Sequence, residues 1–347
     1  MEEASMSRLL AALLVALTCI PFQAEARIMN TPRIDKLFEK TKAVCFGRFV
    51  MDVPMAAQVV PGPQAFGPNI RAIKGGQNEL RSAYAAHIAR LQATKHNRLS
   101  GSLLRSELDG PTLKSKTILF FDEPSAIHVT MVWGYLSVPP FGFIYQGSDA
   151  ADNATVESEK ARLAYVATHL RARDPAEVPQ EPGVCLDVGF IADDTGKFQE
   201  LFGIGLRFPE LPDASFSIST NKDAQQGDSF DARRAEARRA ALMVPELATA
   251  FAKIKTLREG KRKVQQGDGS EALFSRPVGS APGHWHEFQF EYAGKRFDHR
   301  NPSWDAALFT GVHRDQAGSV PSSLSDEEAI ALWDRLMLSV RLRVADR

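Results

Sequence analysis

The stretch Val44-Cys45-Phe46-Gly47-Arg48-Phe49-Val50-Met51-Asp52-Val53-Pro54 is rich in β-branched and aromatic residues and stops at a proline, which reads as a strand on a half-buried pleated surface. A second stretch, Gly183-Val184-Cys185-Leu186-Asp187-Val188-Gly189-Phe190-Ile191, repeats the Val-Cys opening 140 residues later. Just before it, RARDPAEVPQEPG (171–183) sets prolines among mixed charges and interrupts the hydrophobic periodicity, the composition of an interdomain linker. These runs predict an N-terminal domain over 27–172, a linker over 173–183 and a C-terminal domain over 184–347. The length of 347 residues agrees, because single cores stop growing near roughly 250–300 residues.

Outward from the two openings, the halves share a layout. In the first, residues 78–94 place Leu80, Tyr84, Ile88 and Leu91 at the three- and four-residue spacing of an amphipathic helix. In the second, residues 229–257 are rich in Ala, Arg and Glu and read as helical, split in two at Pro245. Strands follow in each half, over 116–121, 126–136 and 141–145 and then over 271–276, 285–292 and 305–313. Closing helices fit 156–171 and 325–338, the second opened by Ser325, Asp326, Glu327 and Glu328, whose hydroxyl and carboxylates suit a helix N-terminus. This order predicts an α+β fold of two related domains, each an antiparallel sheet with packed helices.

Residues 1–26 stand outside that fold. Arg8 precedes an apolar run over 9–17, and Ala24, Glu25 and Ala26 follow it, which is the order of a secretory signal peptide cut after Ala26. Glu2 and Glu3 do not suit a positive leader, so Met6 competes with Met1 as the translation start. Cys19 raises the question of lipidation, but Leu17 and Thr18 before it lack the small residue such a cut needs. No later run is long and apolar enough to span a bilayer, so a periplasmic protein without stable membrane insertion is expected. Lys and Arg number 42 against 42 Asp and Glu, and nucleic-acid binding by counterion release needs a basic excess that this chain lacks.

Cys45 and Cys185 are the cysteines that remain after export. An oxidising compartment favours a disulfide between them; two small buried hydrophobes is the other reading. Motifs of chemistry are otherwise absent: the sequence has no G-x-S-x-G, P-loop, C-x-x-C or H-E-x-x-H. Asp268-Gly269-Ser270 looks like a serine turn but reads better as the start of a strand. His284 and His286, two apart on a strand, would share one face, with His299 or His313 available as a third metal ligand; without fixed spacing to that third ligand, a bland strand edge is the preferred reading. Asp193-Asp194 reads as a turn and Glu327-Glu328 as a helix start rather than an acid and base pair. Arg233, Arg234, Arg238 and Arg239 lie among Asp231 and Glu236, which reads as a solvated helix face, with a basic docking patch as the minority reading. No catalytic residue, metal or cofactor is expected.

A binding protein is the class that remains. PGPQAFGP (61–68) and VPPFGF (138–143) are candidate exposed loops, and aromatic residues on such loops often anchor interfaces; packed turns is the competing reading.

Cys45, Gly47, Arg48, Asp52 and Pro54 form a C-x-G-R-x-x-x-D-x-P pattern that resembles the opening of the type VI secretion lipase immunity proteins of the fourth class. Residues 183–191 resemble the opening of that family's C-terminal domain. Leu257, Arg258, Gly260 and Arg262, then Gly269 and Glu271, resemble its L-R-x-G-x-R and G-x-E stretches; LFTG (308–311) and LWDRLMLSVRLR (332–343) resemble its closing strand and helix. The resemblance implies two α+β domains arranged as a claw, in a periplasmic monomer that binds one cognate phospholipase effector near the lid over its active site. A clamp that holds a lid shut stops turnover without chemistry of its own. No residue here matches a family contact with the lipase, so the partner interface is unassigned. An exported hydrolase or metal enzyme using the His284/His286 strand, and a chaperone or adaptor for the effector, are the alternatives.

Overall fold

The computed structural model describes residues 31–147, 150–225, 227–265, 267–279, 282–312, 318–343 and 346. The expected signal peptide, Cys19, the alternative starts and His313 lie outside the described residues. A short helix α1 (Pro32–Leu37) leads into strands β1 (Thr41–Phe46), β2 (Phe49–Pro54), β3 (Gln58–Phe66) and β4 (Asn69–Ile73). Helix α2 (Gly76–Ala93), β5 (Leu104–Asp109), β6 (Lys116–Phe120), β7 (Met131–Val138), β8 (Phe141–Gln146) and α3 (Asn153–His169) follow. Next come β9 (Leu170–Ala172), β10 (Gly183–Cys185), β11 (Gly189–Ala192), β12 (Glu200–Phe208) and β13 (Leu211–Asn221). The chain ends on α4 (Phe230–Leu242), α5 (Pro245–Ala252), β14 (Lys255–Val264), β15 (Gly267–Pro277), β16 (His284–Tyr292), β17 (Ser303–Thr310), α6 (Asp326–Ser339) and β18 (Arg341–Leu342).

The architecture is α+β, with every ladder between named strands antiparallel. A 12-stranded sheet runs in the order β14-β15-β16-β17-β13-β12-β3-β4-β8-β7-β6-β5. Two small sheets, β1-β2-β18 and β10-β11-β9, fasten the chain's ends and middle to it. Within the long sheet, β3 and β4 share a single ladder pair, Ala65 with Asn69. Proline has no N–H to donate, so Pro61 and Pro63 cannot extend that ladder, and the two strands diverge from this one pair. On its other edge β3 pairs with β12 from Gln58 to Phe66, with a register shift between Phe202 and Ile204. Gly62 sits at that irregularity, where a Cβ would come within 2.8 Å of the Gly203 carbonyl carbon and oxygen.

Apolar burial follows the sheet. Ile34, Val44, Phe49 and Met51 pack with Phe216, Leu273, Phe288, Trp304, Leu332 and Trp333 in the core beneath α6. Phe66, Leu136, Phe143, Leu163 and Val166 pack with Val184, Ile191 and Phe202 around α3. A third cluster under α2 joins Leu80, Ile88 and Leu91 to Ile118, Phe120, Tyr135 and Ile144. Pro245 does split the long Ala-Arg-Glu stretch, at the first turn of α5. The capping box of α6 forms between Ser325 and Glu328.

Several expectations are corrected. The segment 61–68 expected as a loop lies mostly in β3, whose backbone is supported from the β12 side alone over most of its length. Helix was expected to 257, but α5 ends at Ala252 and β14 begins at Lys255, because tertiary pairing with β15 overrides a local preference. The strand expected over 126–136 begins only at Met131, and the one expected over 305–313 ends at Thr310, before Gly311 at φ 69°. The hairpin β12–β13 had no counterpart in the reading of the sequence.

Candidate binding cleft

Where β3 and β4 diverge, an open cleft of about 800 Å³ forms. Pro61, Gly62, Pro63 and Gln64 of β3 make one wall, residues 69–76 another, and Pro140 with Phe141 at the β7–β8 turn a third; Asp187 and Val188 close it. The two segments singled out in the sequence as candidate loops, 61–68 and 138–143, thus come together on one cleft. The β7–β8 turn, with its cis Pro139–Pro140 bond, is pinned to α2 by Gln77, which donates to the Phe141 carbonyl and accepts from Ser137 Oγ at 2.6 Å. Phe143, deeper in the hairpin, is fully buried. A second cleft of about 680 Å³ shares Pro61, Gln64 and Asp187 with the first and runs on past residues 173–176 and the cysteine pair. Gln64 Oε1 accepts from the Asp187 N–H at 3.2 Å across the ridge between the two.

Cys45 and Cys185 form a disulfide in the wall of the second cleft, with Cα atoms 5.8 Å apart. Beside it Gly47 and Cys185 exchange backbone hydrogen bonds at 3.0 and 2.8 Å. Gly47 has φ 50° and Phe202 lies 2.9 Å from where a Cβ would be, so both conformation and space require glycine.

Arg48, next in the chain, is 2% exposed and gathers carboxylates from three distant segments. It donates to Glu200 at 2.8 and 2.9 Å, to Asp193 Oδ2 at 2.8 Å and to Asp346 Oδ1 at 2.9 Å. Burial works against its charge, but Glu200 and Asp346 override that and hold the guanidinium more firmly protonated than usual. Burial alone would raise Asp193; hydrogen bonds from Thr195, Tyr165 and the Gly196 N–H, with the charge of Arg48, bring it down to about 2. Arg343 adds bonds to Asp346 at 2.5 Å and to the Pro179 carbonyl at 3.1 Å. Arg173 is buried among the carbonyls of Glu177, Leu186 and Asp187 at 2.7 to 3.0 Å, so residues 173–187 wrap one guanidinium. A second buried network lies under α6. Arg258 reaches Glu271 at 2.6 Å and Asp334 at 2.9 Å, Arg262 reaches Asp334 at 2.6 Å, and Trp333 Nε1 donates to Glu271 at 2.9 Å.

The remaining sequence candidates are occupied elsewhere. His286 is buried, with Nδ1 2.6 Å from Thr310 Oγ1 and Nε2 2.9 Å from Asp326 Oδ1, whereas His284 is exposed at the strand end. Burial lowers the His299 pKa, with Arg48 adding to the effect. Among the described residues no group of three His, Cys, Asp or Glu is placed to hold a metal. Asp268, Gly269 and Ser270 lie inside β15, which already begins at Gly267, and Ser270 bonds Asp231 at 3.0 Å and Lys261 at 2.7 Å. Asp193 sits in a turn, as read, but is buried on Arg48. Arg233 and Arg234 pair with Glu291 and Glu259; Arg238 and Arg239 are exposed on α4.

Residues 177–345 match the family described as the Tle cognate immunity protein 4 C-terminal domain. The fold is similar to the apo structure of the immunity protein TplEi of the T6SS of Pseudomonas aeruginosa, at 26% identity and a TM-score of 0.73, covering 87% of this chain and 97% of that one. The same identity, coverage and TM-score relate it to the crystal structure of a Tle4-Tli4 complex. TplEi from P. aeruginosa complexed with "L" peptide gives 26% identity and a TM-score of 0.68, covering 87% of this chain and 98% of that one. No curated protein matches the sequence.

Proposed function

Because this chain belongs, through the domain over 177–345, with the type VI secretion lipase immunity proteins of the fourth class, we propose that it binds and silences a cognate phospholipase effector in the periplasm. The observation that carries this reading is the shared fold with a chain solved as a Tle4-Tli4 complex, over 97% of that chain's length. The effector is gripped at the cleft between β3 and β4, walled mainly by the half 27–172 and closed by Asp187 and Val188 of the half 184–347, and this grip holds the lid region of the lipase. An open, partly apolar cleft walled by rigid strands and a pinned hairpin suits a protein segment better than a small substrate buried on all sides.

Inhibition by such a grip needs no chemistry from the antidote, and the titratable groups support this: Arg48, Arg258, Arg262 and their carboxylates are engaged with one another. A disulfide across 140 residues suits an oxidising compartment. Co-purification with the lipase encoded beside it tests the reading. A stable one-to-one complex with lost phospholipase activity is expected; a folded lipase that neither binds nor loses activity would overturn it.

A further inference from the structure

On the α2 side of the sheet, beside the cleft, lies a shallow pocket of about 290 Å³ whose charged side chains are all positive. Arg71 of β4 and Arg90 of α2 stand at it, both exposed, and neither side chain has an acidic partner among the described residues. Arg71 also lines the cleft, so pocket and cleft adjoin at this residue. The pocket's inner wall is aromatic, built from His87, Trp133 and Tyr135. Tyr135 Oη lies 2.6 Å from His87 Nδ1, while His87 Nε2 and Trp133 Nε1 are buried without a hydrogen-bond partner. His87 itself is 8% exposed. Burial lowers its pKa to about 4, with Arg90 adding to the effect, so the ring is neutral at ordinary pH. Two uncompensated guanidinium groups over a neutral aromatic wall with orphaned ring nitrogens leave donors and positive charge that the protein does not use. A group that could answer both is a planar anion, since guanidinium groups bind carboxylates with charge-assisted, often bidentate hydrogen bonds.

We propose that this pocket receives a carboxylate, carried by an acidic side chain of the bound effector, between Arg71 and Arg90. The inference rests on the antidote reading and deepens it, because Arg71 connects the pocket to the cleft assigned to the effector. A carboxylate on a protein partner is favoured over a free anion, because a pocket this shallow would hold a small ion weakly, whereas an acid on a docked segment arrives with the rest of the interface.

Calorimetric titration of the lipase into wild-type protein and into Arg71→Ala, Arg90→Ala and the double variant tests this, at low and high salt. Each single variant is expected to weaken binding roughly threefold to tenfold, and the double variant to lose much of the salt dependence. The Trp133 indole proton should shift on binding in the wild type and not in the double variant. Both arginines are exposed, so the variants keep the wild-type thermal transition. If the wild type binds and the double variant binds equally, with unchanged salt dependence, the proposal is overturned while the antidote reading stands. Saturable shifts of the Trp133 indole by inorganic phosphate alone, with lipase affinity unchanged in the variants, would assign the pocket to a free anion and also overturn it. If the wild type fails to bind the folded lipase, both readings fall.

Discussion

Arg48 is the clearest case of a residue whose importance is structural and long-range. Replacing it with methionine would leave Asp193, Glu200 and Asp346 facing one another in a buried site, and an uncompensated buried charge costs about 3–5 kcal/mol. Urea denaturation of Arg48→Met should show that loss. Arg341→Ala, which breaks a half-exposed pair with Asp52, should cost under about 1 kcal/mol. His87 makes a pH prediction. Its folded pKa, about 4, lies below the ordinary 6.5, so the unfolded state binds the proton more readily. Its contribution is therefore complete above pH 6.5 and is lost as pH falls toward 4, by roughly 2–3 kcal/mol. Denaturation midpoints across that window should fall in the wild type and fall less in His87→Phe. Arg48, Arg258, Arg262 and Glu271 fall in the stretches that carry the family resemblance, yet nothing in the local sequence reveals what they do. Glu271 faces Arg258 and Arg262 across the β14–β15 hairpin, but the acids of Arg48 and the Asp334 that both other arginines share lie far along the chain, and no spacing rule reaches that distance.

At the scale of elements, periodicity made much of the fold legible. The stripe of Leu80, Ile88 and Leu91 is the buried face of α2, and Ser325 caps α6 as its side chain suggests. β3 was illegible for a physical reason: prolines signal loops because they cannot donate to a ladder, and this strand tolerates them by pairing mainly along one edge. That defect is also what opens the cleft, so the feature hardest to read is the one that positions the site. Gly62→Ala tests the arrangement. Its Cβ would meet the Gly203 carbonyl carbon and oxygen at 2.8 Å, backbone that cannot swing aside, and overpacking of this kind costs about 1–3 kcal/mol. A lowered denaturation midpoint together with weaker lipase binding is expected, and an unchanged protein would contradict the account of the β3–β12 join.

Over the whole molecule, the N-terminal signature works as a set of fasteners. Cys45 bonds Cys185, Gly47 pairs with Cys185, Arg48 holds three acids, and Asp52 meets Arg341. These contacts tie residues 41–54 to the middle and the end of the chain, and β18 adds a strand to β2. Closing a loop of 140 residues, the disulfide should stabilise by about 4–5 kcal/mol in the chain-entropy model. Cys45→Ser with Cys185→Ser should lower the thermal transition accordingly, and dithiothreitol should do the same to the wild type; equal stability of oxidised and reduced protein would contradict it. Two cysteines outside the segment expected to be an export leader made that bridge foreseeable, whereas the joining of the 12 strands into one sheet was not, because β3 and β12 meet across a separation no local pattern encodes.

Hydrogen exchange of the protein alone and in complex with its lipase tests the central claim most directly, since amides covered by a partner exchange more slowly. The account predicts slowed exchange at Gly62, Gln64, residues 71–76, Phe141 and residues 187–188, in the walls of the cleft. Unchanged exchange in those segments, with protection appearing on another face, would contradict it.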